Sequence, residues 1–111
     1  MVAYPSEGEV FGLVAVEALL CGTPVVVSND SGCGEVIRGV GGGLLVEPGN
    51  ARELSDALAR VLARPVAWRE QAEDARLRVR QYASHEVSIA IEAVYRDVLS
   101  TGAPLVQEAV V

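Results

Sequence analysis

From Leu13 to Leu20 every side chain except Glu17 is apolar. The run is built from good helix formers and stops at Gly22, with Pro24 just beyond. The polar, Gly-containing residues 5–12 lead into it, so the pattern predicts a loop feeding a short buried helix. An ionised carboxylate in so apolar a setting is costly unless something binds it, which makes Glu17 a residue in need of a partner. The plainer reading is a solvated residue at the helix edge. Ahead of the loop, Met1, Val2, Ala3 and Tyr4 read as the tail of a buried strand whose start looks cut. After the helix, Pro24-Val25-Val26-Val27-Ser28 is β-branched and runs into the turn residues Asn29-Asp30-Ser31-Gly32, the mark of a second buried strand.

Further along, Gly34-Glu35-Val36-Ile37-Arg38 predicts a single helical turn closed by the glycines at 39–43. Gly43-Leu44-Leu45-Val46 is a third short strand, ended by Glu47-Pro48-Gly49. Asn50 with Glu53 three residues on forms a capping box, and it opens a helix with Leu54, Ala57, Leu58, Val61 and Leu62 on one face, ending near Arg64-Pro65. Trp68, Ala72, Ala75, Val79 and Tyr82 mark a second amphipathic helix. Ser84 is the expected N-cap of a third, with Val87, Ala90, Ile91, Val94, Tyr95 and Val98 as its stripe. These aromatics read as packing residues. Residues 1–99 form the expected domain, with 84–99 as a closing helix and 100–111 as a flexible tail.

Strands alternating with helices imply parallel strands joined by right-handed crossovers. The fold class is α/β: a partial doubly wound, Rossmann-like parallel sheet of about three strands, with flanking helices and a C-terminal helical tail. Three strands leave one edge open where others ought to pair, so a fragment is expected.

Composition narrows this picture. A chain of 111 residues that is 50% hydrophobic and contains 11 glycines is globular, and a complete domain of this size buries roughly 65% of its unfolded surface. The formal charge is -6. Of the bases only Arg38 precedes position 51, against Glu7, Glu9, Glu17, Asp30, Glu35 and Glu47. Nucleic-acid binding needs clustered cations and is excluded on that balance. Cys21 and Cys33 lack metal-ligand spacing and His85 is distant, so two reduced thiols and no structural metal are expected. No run approaches the roughly 20 apolar residues of a membrane span and no basic leader opens the chain; a cytoplasmic protein is expected.

In open α/β sheets, ligands sit outside the carboxyl ends of the strands. Two loops fall there, residues 5–12 and 28–34. The first enters a helix N-terminus at Phe11, Gly12, Leu13 and Val14, where free N–H groups and the helix dipole favour a phosphate. Gly12 lets the backbone approach closely. Glu17 lies five residues on, about 7.5 Å along the axis. A diphosphate at the helix end would leave a ribose beside it, whose two hydroxyls a carboxylate can accept. The other glycines lack the full G-x-G-x-x-G pattern and read as turns. Ser84 with His85 reads as a helix start.

Glu9-x7-Glu17 around Phe11-Gly12-Leu13-Val14, followed by Cys21-Gly22-Thr23-Pro24-Val25-Val26, resembles the E-x7-E region of retaining GT-B glycosyltransferases of family four. Residues 28–37 are similar to that family's Ser-Asp-x-Gly-Gly-x-Pro-Glu-Val-Ile segment, and residues 43–50 to its Gly-Leu-Leu-Val-x-Pro-Gly-Asp turn. The resemblance covers nearly the whole chain and implies half of a GT-B C-terminal, donor-binding domain. It implies transfer of a sugar from a nucleotide diphosphate sugar to an acceptor, with retention and no required metal or cofactor. By position, Glu9 matches the glutamate facing the donor sugar at the reaction centre, and Glu17 the one holding the ribose. Backbone amides of Phe11, Gly12, Leu13 and Val14 would contact sugar and phosphates. Independently, the aspartates include no D-x-D pair of the kind that carries a metal-bound diphosphate.

Ser31 and Gly34 depart from the family, standing where it usually has Gly and Pro. Its acceptor domain, Gly-rich loop and phosphate-neutralising Arg and Lys would all precede this region. A leaving diphosphate gains negative charge as the glycosidic bond breaks and needs those cations, so this chain alone is expected not to catalyse. The alternative is a free-standing, non-catalytic module that binds a nucleotide sugar or a protein.

Overall fold

The computed structural model describes residues 1–101. They run β1 (Val2–Tyr4), α1 (Leu13–Leu20), β2 (Val25–Ser28), α2 (Gly32–Val40), β3 (Gly43–Val46), α3 (Ala51–Ala63), α4 (Pro65–Val79), a 3-10 turn (Arg80–Tyr82) and α5 (Ser84–Thr101). The three strands form one parallel sheet in the order β1-β2-β3. Val25 is paired with Val2 on one side and Gly43 on the other, and Val27 with Tyr4 and Leu45.

β2 is buried along its whole length, as a central parallel strand must be when helices cover both faces. Its side chains alternate between those faces. Val26 joins Val46 of β3 and Ala57 and Val61 of α3 in one cluster, with Leu44, Leu54, Leu58 and Trp68 packed around it. Val25 and Val27 point the other way, where α1 and α2 pack on the sheet. That layer buries Ala15, Val16 and Leu19 of α1 and Cys33, Val36, Ile37 and Val40 of α2. α4 lies against α1, burying Ala72, Ala75 and Val79. The Arg78 Nε donates to the Val40 carbonyl over 2.9 Å, so a cation caps the C-terminal end of α2.

Several elements differ from the sequence reading. α2 is a helix of nine residues, about one turn longer than the stretch expected over 34–38, because Ser31 caps it: the Ser31 Oγ accepts from Gly34 N. At α3 the Asn50 side chain accepts from Glu53 N at 3.0 Å, as the capping box requires. The Glu53 carboxylate, however, takes the Glu47 N–H rather than that of Asn50. Leu62 is not part of the packed stripe and is 68% exposed, since α3 packs along Leu54, Ala57, Leu58 and Val61.

The chain divides into two compact units, Met1–Arg80 and a second beginning at Gln81. In the second, α5 continues to Thr101, two residues beyond the expected end at 99, and buries none of its residues. Its apolar stripe is exposed at Val87, Ala90, Ile91, Val94 and Tyr95 and half-buried at Val98. The remainder of the tail expected over 100–111, from 102 on, lies outside the described residues.

One buried polar atom stands out in the core. The Ser28 hydroxyl, at the carboxyl end of β2, is fully buried and has no hydrogen-bond partner among the described residues. Leaving such a group unpaired costs about 1–3 kcal/mol, so Ser28→Ala should leave stability unchanged or raise it by up to about 1 kcal/mol in urea unfolding. A loss of stability on that scale would mean the hydroxyl is satisfied.

Candidate functional site

Because all three strands run the same way, the loops that follow them gather at one edge of the sheet. The first two are residues 5–12 and 29–31, shorter than the expected 28–34 because α2 takes up Gly32, Cys33 and Gly34. The sequence reading passed over the third, residues 47–50 after β3. The Glu7 carboxylate comes so close to that turn that a Cβ on Gly49 would stand 3.3 Å from its Oε1. Between the two loops lies a cleft of about 190 Å³ lined by Pro5, Glu7, Glu47, Asn50 and Leu54. The rule that placed the first two loops would have found the third, as it also follows a parallel strand.

Gly12 is where the site becomes specific. It is the N-cap of α1, with φ 68° in the left-handed region, and no side chain caps the helix. The Leu13 and Val14 N–H groups of the first turn are thus left without the usual side-chain acceptor, while the Ala15 N–H faces the Cys33 sulfur. The absent side chain matters as much as the dihedral. A Cβ on Gly12 would lie 2.5 Å from the Cys33 Sγ and 3.0 Å from the Glu9 Cγ. Glu9 therefore lies along the entrance to α1 on one side of Gly12. On the other side, buried Cys33 donates from its thiol to the Gly12 carbonyl at 2.9 Å. Burial pushes the Cys33 thiol above its ordinary range, opposed in part by the Ala15 N–H.

The loop is held from α2 as well. Gly32 N donates to the Glu9 carbonyl at 3.4 Å, and a Cβ on Gly32 would collide with the Val10 carbonyl and approach the Phe11 Cα to 2.5 Å. From β1, the Tyr4 hydroxyl donates to Glu9 Oε2 at 2.7 Å, and Ser6 Oγ reaches the same oxygen at 3.4 Å. That hydrogen bond to the Glu9 carboxylate, with the carboxylate's charge, raises the Tyr4 phenol above its ordinary 10.0, a shift the Ser6 hydroxyl partly offsets.

Glu9 and Gly12 are thus brought together, while Glu17 stands apart. Its side chain is exposed and makes no hydrogen bond or ion pair among the described residues. The demand for a partner that its apolar neighbours suggested is met by water, since α1 buries only Ala15, Val16, Ala18 and Leu19. Leu13 is 57% and Phe11 39% exposed, and Val14 is half-buried, so the loop and the start of α1 present an apolar surface beside the free N–H groups.

A second cleft, of about 300 Å³, opens between the first two loops and includes Glu9, Asn29, Asp30, Glu35 and Arg38. Three carboxylates face one guanidinium there, and Arg38 uses its Nη2 to donate to the Asn29 carbonyl. Among the described residues no group of three or more His, Cys, Asp or Glu side chains is placed to hold a metal ion. No helix among them is long and apolar enough to cross a membrane.

Residues 1–85 match the profile of the family described as Glycosyl transferases group 1. The chain belongs to that family. Among relatives, the D-inositol 3-phosphate glycosyltransferase of Saccharomonospora viridis is 36% identical over 100 residues, covering 90% of this chain and 23% of that protein. The corresponding protein of Gordonia bronchialis is 35% identical over 104 residues, covering 93% of this chain and again 23% of the relative. A solved structure, the sucrose-phosphate synthase of Thermosynechococcus elongatus, superposes with a TM-score of 0.80 at 37% identity, over 90% of this chain and 26% of that one. The chain therefore spans about a quarter of the length of the relatives it matches, and its α/β sheet with flanking helices is the fold of the matching part of its structural neighbour.

Two measurements check the geometry. Gly12→Ala should destabilise the chain by at least about 1–2 kcal/mol, because an L side chain in the left-handed region is strained before any collision with Cys33 is counted. A melt unchanged from wild type would contradict the close packing. The Tyr4 ring resonances should titrate above 10.0 and move down in Glu9→Gln. The sign follows from the carboxylate disfavouring phenolate: the contact supports folding below pH 10.0, and its contribution is lost as pH rises through the raised folded value.

Proposed function

We propose that this chain is the donor-binding portion of a glycosyltransferase that moves a sugar from a nucleotide diphosphate sugar to an acceptor with retention of anomeric configuration. The observation that carries the reading is the junction at Gly12. A helix start with uncapped N–H groups, a backbone with no Cβ in the way, and a carboxylate laid alongside are what a phosphorylated sugar needs at one place. The diphosphate sits at the N-terminus of α1, contacted by backbone amides of Phe11, Gly12, Leu13 and Val14. Glu9 faces the transferred sugar as a hydrogen-bond acceptor. Glu17, four residues past the first residue of α1 and open to solvent, accepts both hydroxyls of the ribose. The exposed Phe11 and Leu13 become covered when the donor is bound.

Catalysis asks for more than this. As the glycosidic bond breaks, negative charge moves onto the leaving diphosphate and must be stabilised where it develops. Arg38 is the base of this edge, and its guanidinium is already engaged with Asn29. We propose that the neutralising cations and the acceptor site come from residues outside these 111, so that the chain binds donor and does not turn it over alone. No metal or cofactor enters the scheme.

The test is to titrate uridine, guanosine and adenosine diphosphate sugars into the wild-type chain and Glu17→Ala by calorimetry. Two charge-assisted hydrogen bonds are at stake, so the variant should lose about tenfold or more in affinity for the preferred nucleotide. Equal binding by both forms would end the ribose assignment.

A further inference from the structure

Glu9 is pinned at both of its ends. Its carbonyl takes the Gly32 N–H of α2, and its carboxylate takes the Tyr4 hydroxyl from the last residue of β1. The geometry is asymmetric: Tyr4 at 2.7 Å and Ser6 at 3.4 Å both address Oε2, and Oε1 has no hydrogen-bond partner among the described residues. Gly12, lacking a Cβ, lets the side chain lie flat along the helix entrance while this occurs. Tyr4 itself is held by the sheet, in register with Val27 of the fully buried β2. A rigid strand thus fixes one oxygen of a carboxylate that otherwise sits on a loop.

We propose that Tyr4 is a positioning residue for Glu9, holding Oε2 so that Oε1 alone is presented to the cleft as the acceptor for one hydroxyl group of the bound sugar. This rests on the reading of Glu9 as a donor-sugar ligand. A carboxylate with both oxygens free would accept two neighbouring hydroxyls together. With one oxygen committed to a phenol, it accepts one, at an angle set by β1. The direct contact is made by Glu9; Tyr4 touches no substrate and acts through it. A tyrosine is suited to this because its ring is carried on two torsions and the hydroxyl reaches past the loop without needing the loop to be ordered first. Ser6, on the loop itself and 3.4 Å from Oε2 against 2.7 Å for Tyr4, is the weaker of the two holds.

The decisive quantity is the affinity gained from the sugar: the ratio of dissociation constants for a nucleoside diphosphate and for its sugar ester. It is measured by calorimetry with the uridine, guanosine and adenosine pairs on the full chain. Wild type, Tyr4→Phe, Glu9→Gln and the double variant are compared, with melting curves to establish that each is folded. Tyr4→Phe keeps the ring and removes one hydroxyl. It should lower the sugar's contribution about three- to tenfold, leave binding of the sugar-free nucleotide unchanged, and add nothing to the loss already caused by Glu9→Gln. If Glu9→Gln loses the contribution and Tyr4→Phe keeps it, or if the two losses simply multiply, the role of Tyr4 is overturned and the donor reading stands. A loss shared by the sugar-free nucleotide would mean that the substitution loosens the loop, which also overturns it. If Glu9→Gln keeps the contribution, or wild type shows none with any of the three bases, the donor reading of Glu9 fails and the proposal fails with it.

Discussion

The contact between the first loop and the first turn of α2 is the constraint on which the site depends. Residues 5–12 have no regular backbone pairing of their own, yet Glu9, Val10, Phe11 and Gly12 are all fitted against Gly32 and Cys33. Two glycines make that possible, one in each segment. Where a Cβ at either position would collide, the backbones instead close to van der Waals distance. The contact joins elements far apart in sequence, and it exists because β1 and β2 are adjacent and parallel, which carries the loops after them to the same edge.

From this follows a division of labour within the loop. The backbone is supported by α2 and the carboxylate of Glu9 by β1, while the N-terminus of α1 is left uncapped. Helix starts in soluble proteins are usually capped by a side chain, and α2 and α3 of this same chain are, through Ser31 and Asn50. The bare start of α1 is therefore a local choice. It coincides with the Gly12 backbone in the left-handed region and with a carboxylate laid beside it. Charge reinforces the pattern in a negative sense, since the edge carries more acid than base and one engaged arginine. The proposed transfer has to stabilise a departing diphosphate, and Arg38 at this edge is already engaged with Asn29.

Much of the fold could be read directly. The β-branched run of β2, the Pro-Gly-Asn turn and the helix stripes placed all three strands and the helices from α1 to α5 nearly where they lie. Errors came where a helix boundary is set by a contact rather than by pattern. α2 starts at Gly32 because Ser31 folds over it, and glycines at 32 and 34 hid that helix from any propensity argument. Leu62 and the α5 stripe have the right period for a core yet are exposed, because period says which residues share a face and not what covers the face.

For the site, sequence alone pointed to the carboxyl edge, to Gly12, and to Glu9 and Glu17 as carboxylates of interest, through spacing and the resemblance those spacings carry; the structure lays Glu9 beside Gly12. It misjudged why Glu17 would matter, inferring burial from apolar neighbours when the buried face of α1 is the narrow one of Ala15, Val16, Ala18 and Leu19. Only the tertiary structure decided that Tyr4 reaches Glu9, that Cys33 lies beneath Gly12 and that the 47–50 turn joins the edge. Those facts depend on strand order and side-chain direction, which bring together residues whose spacing along the chain has no period to betray it.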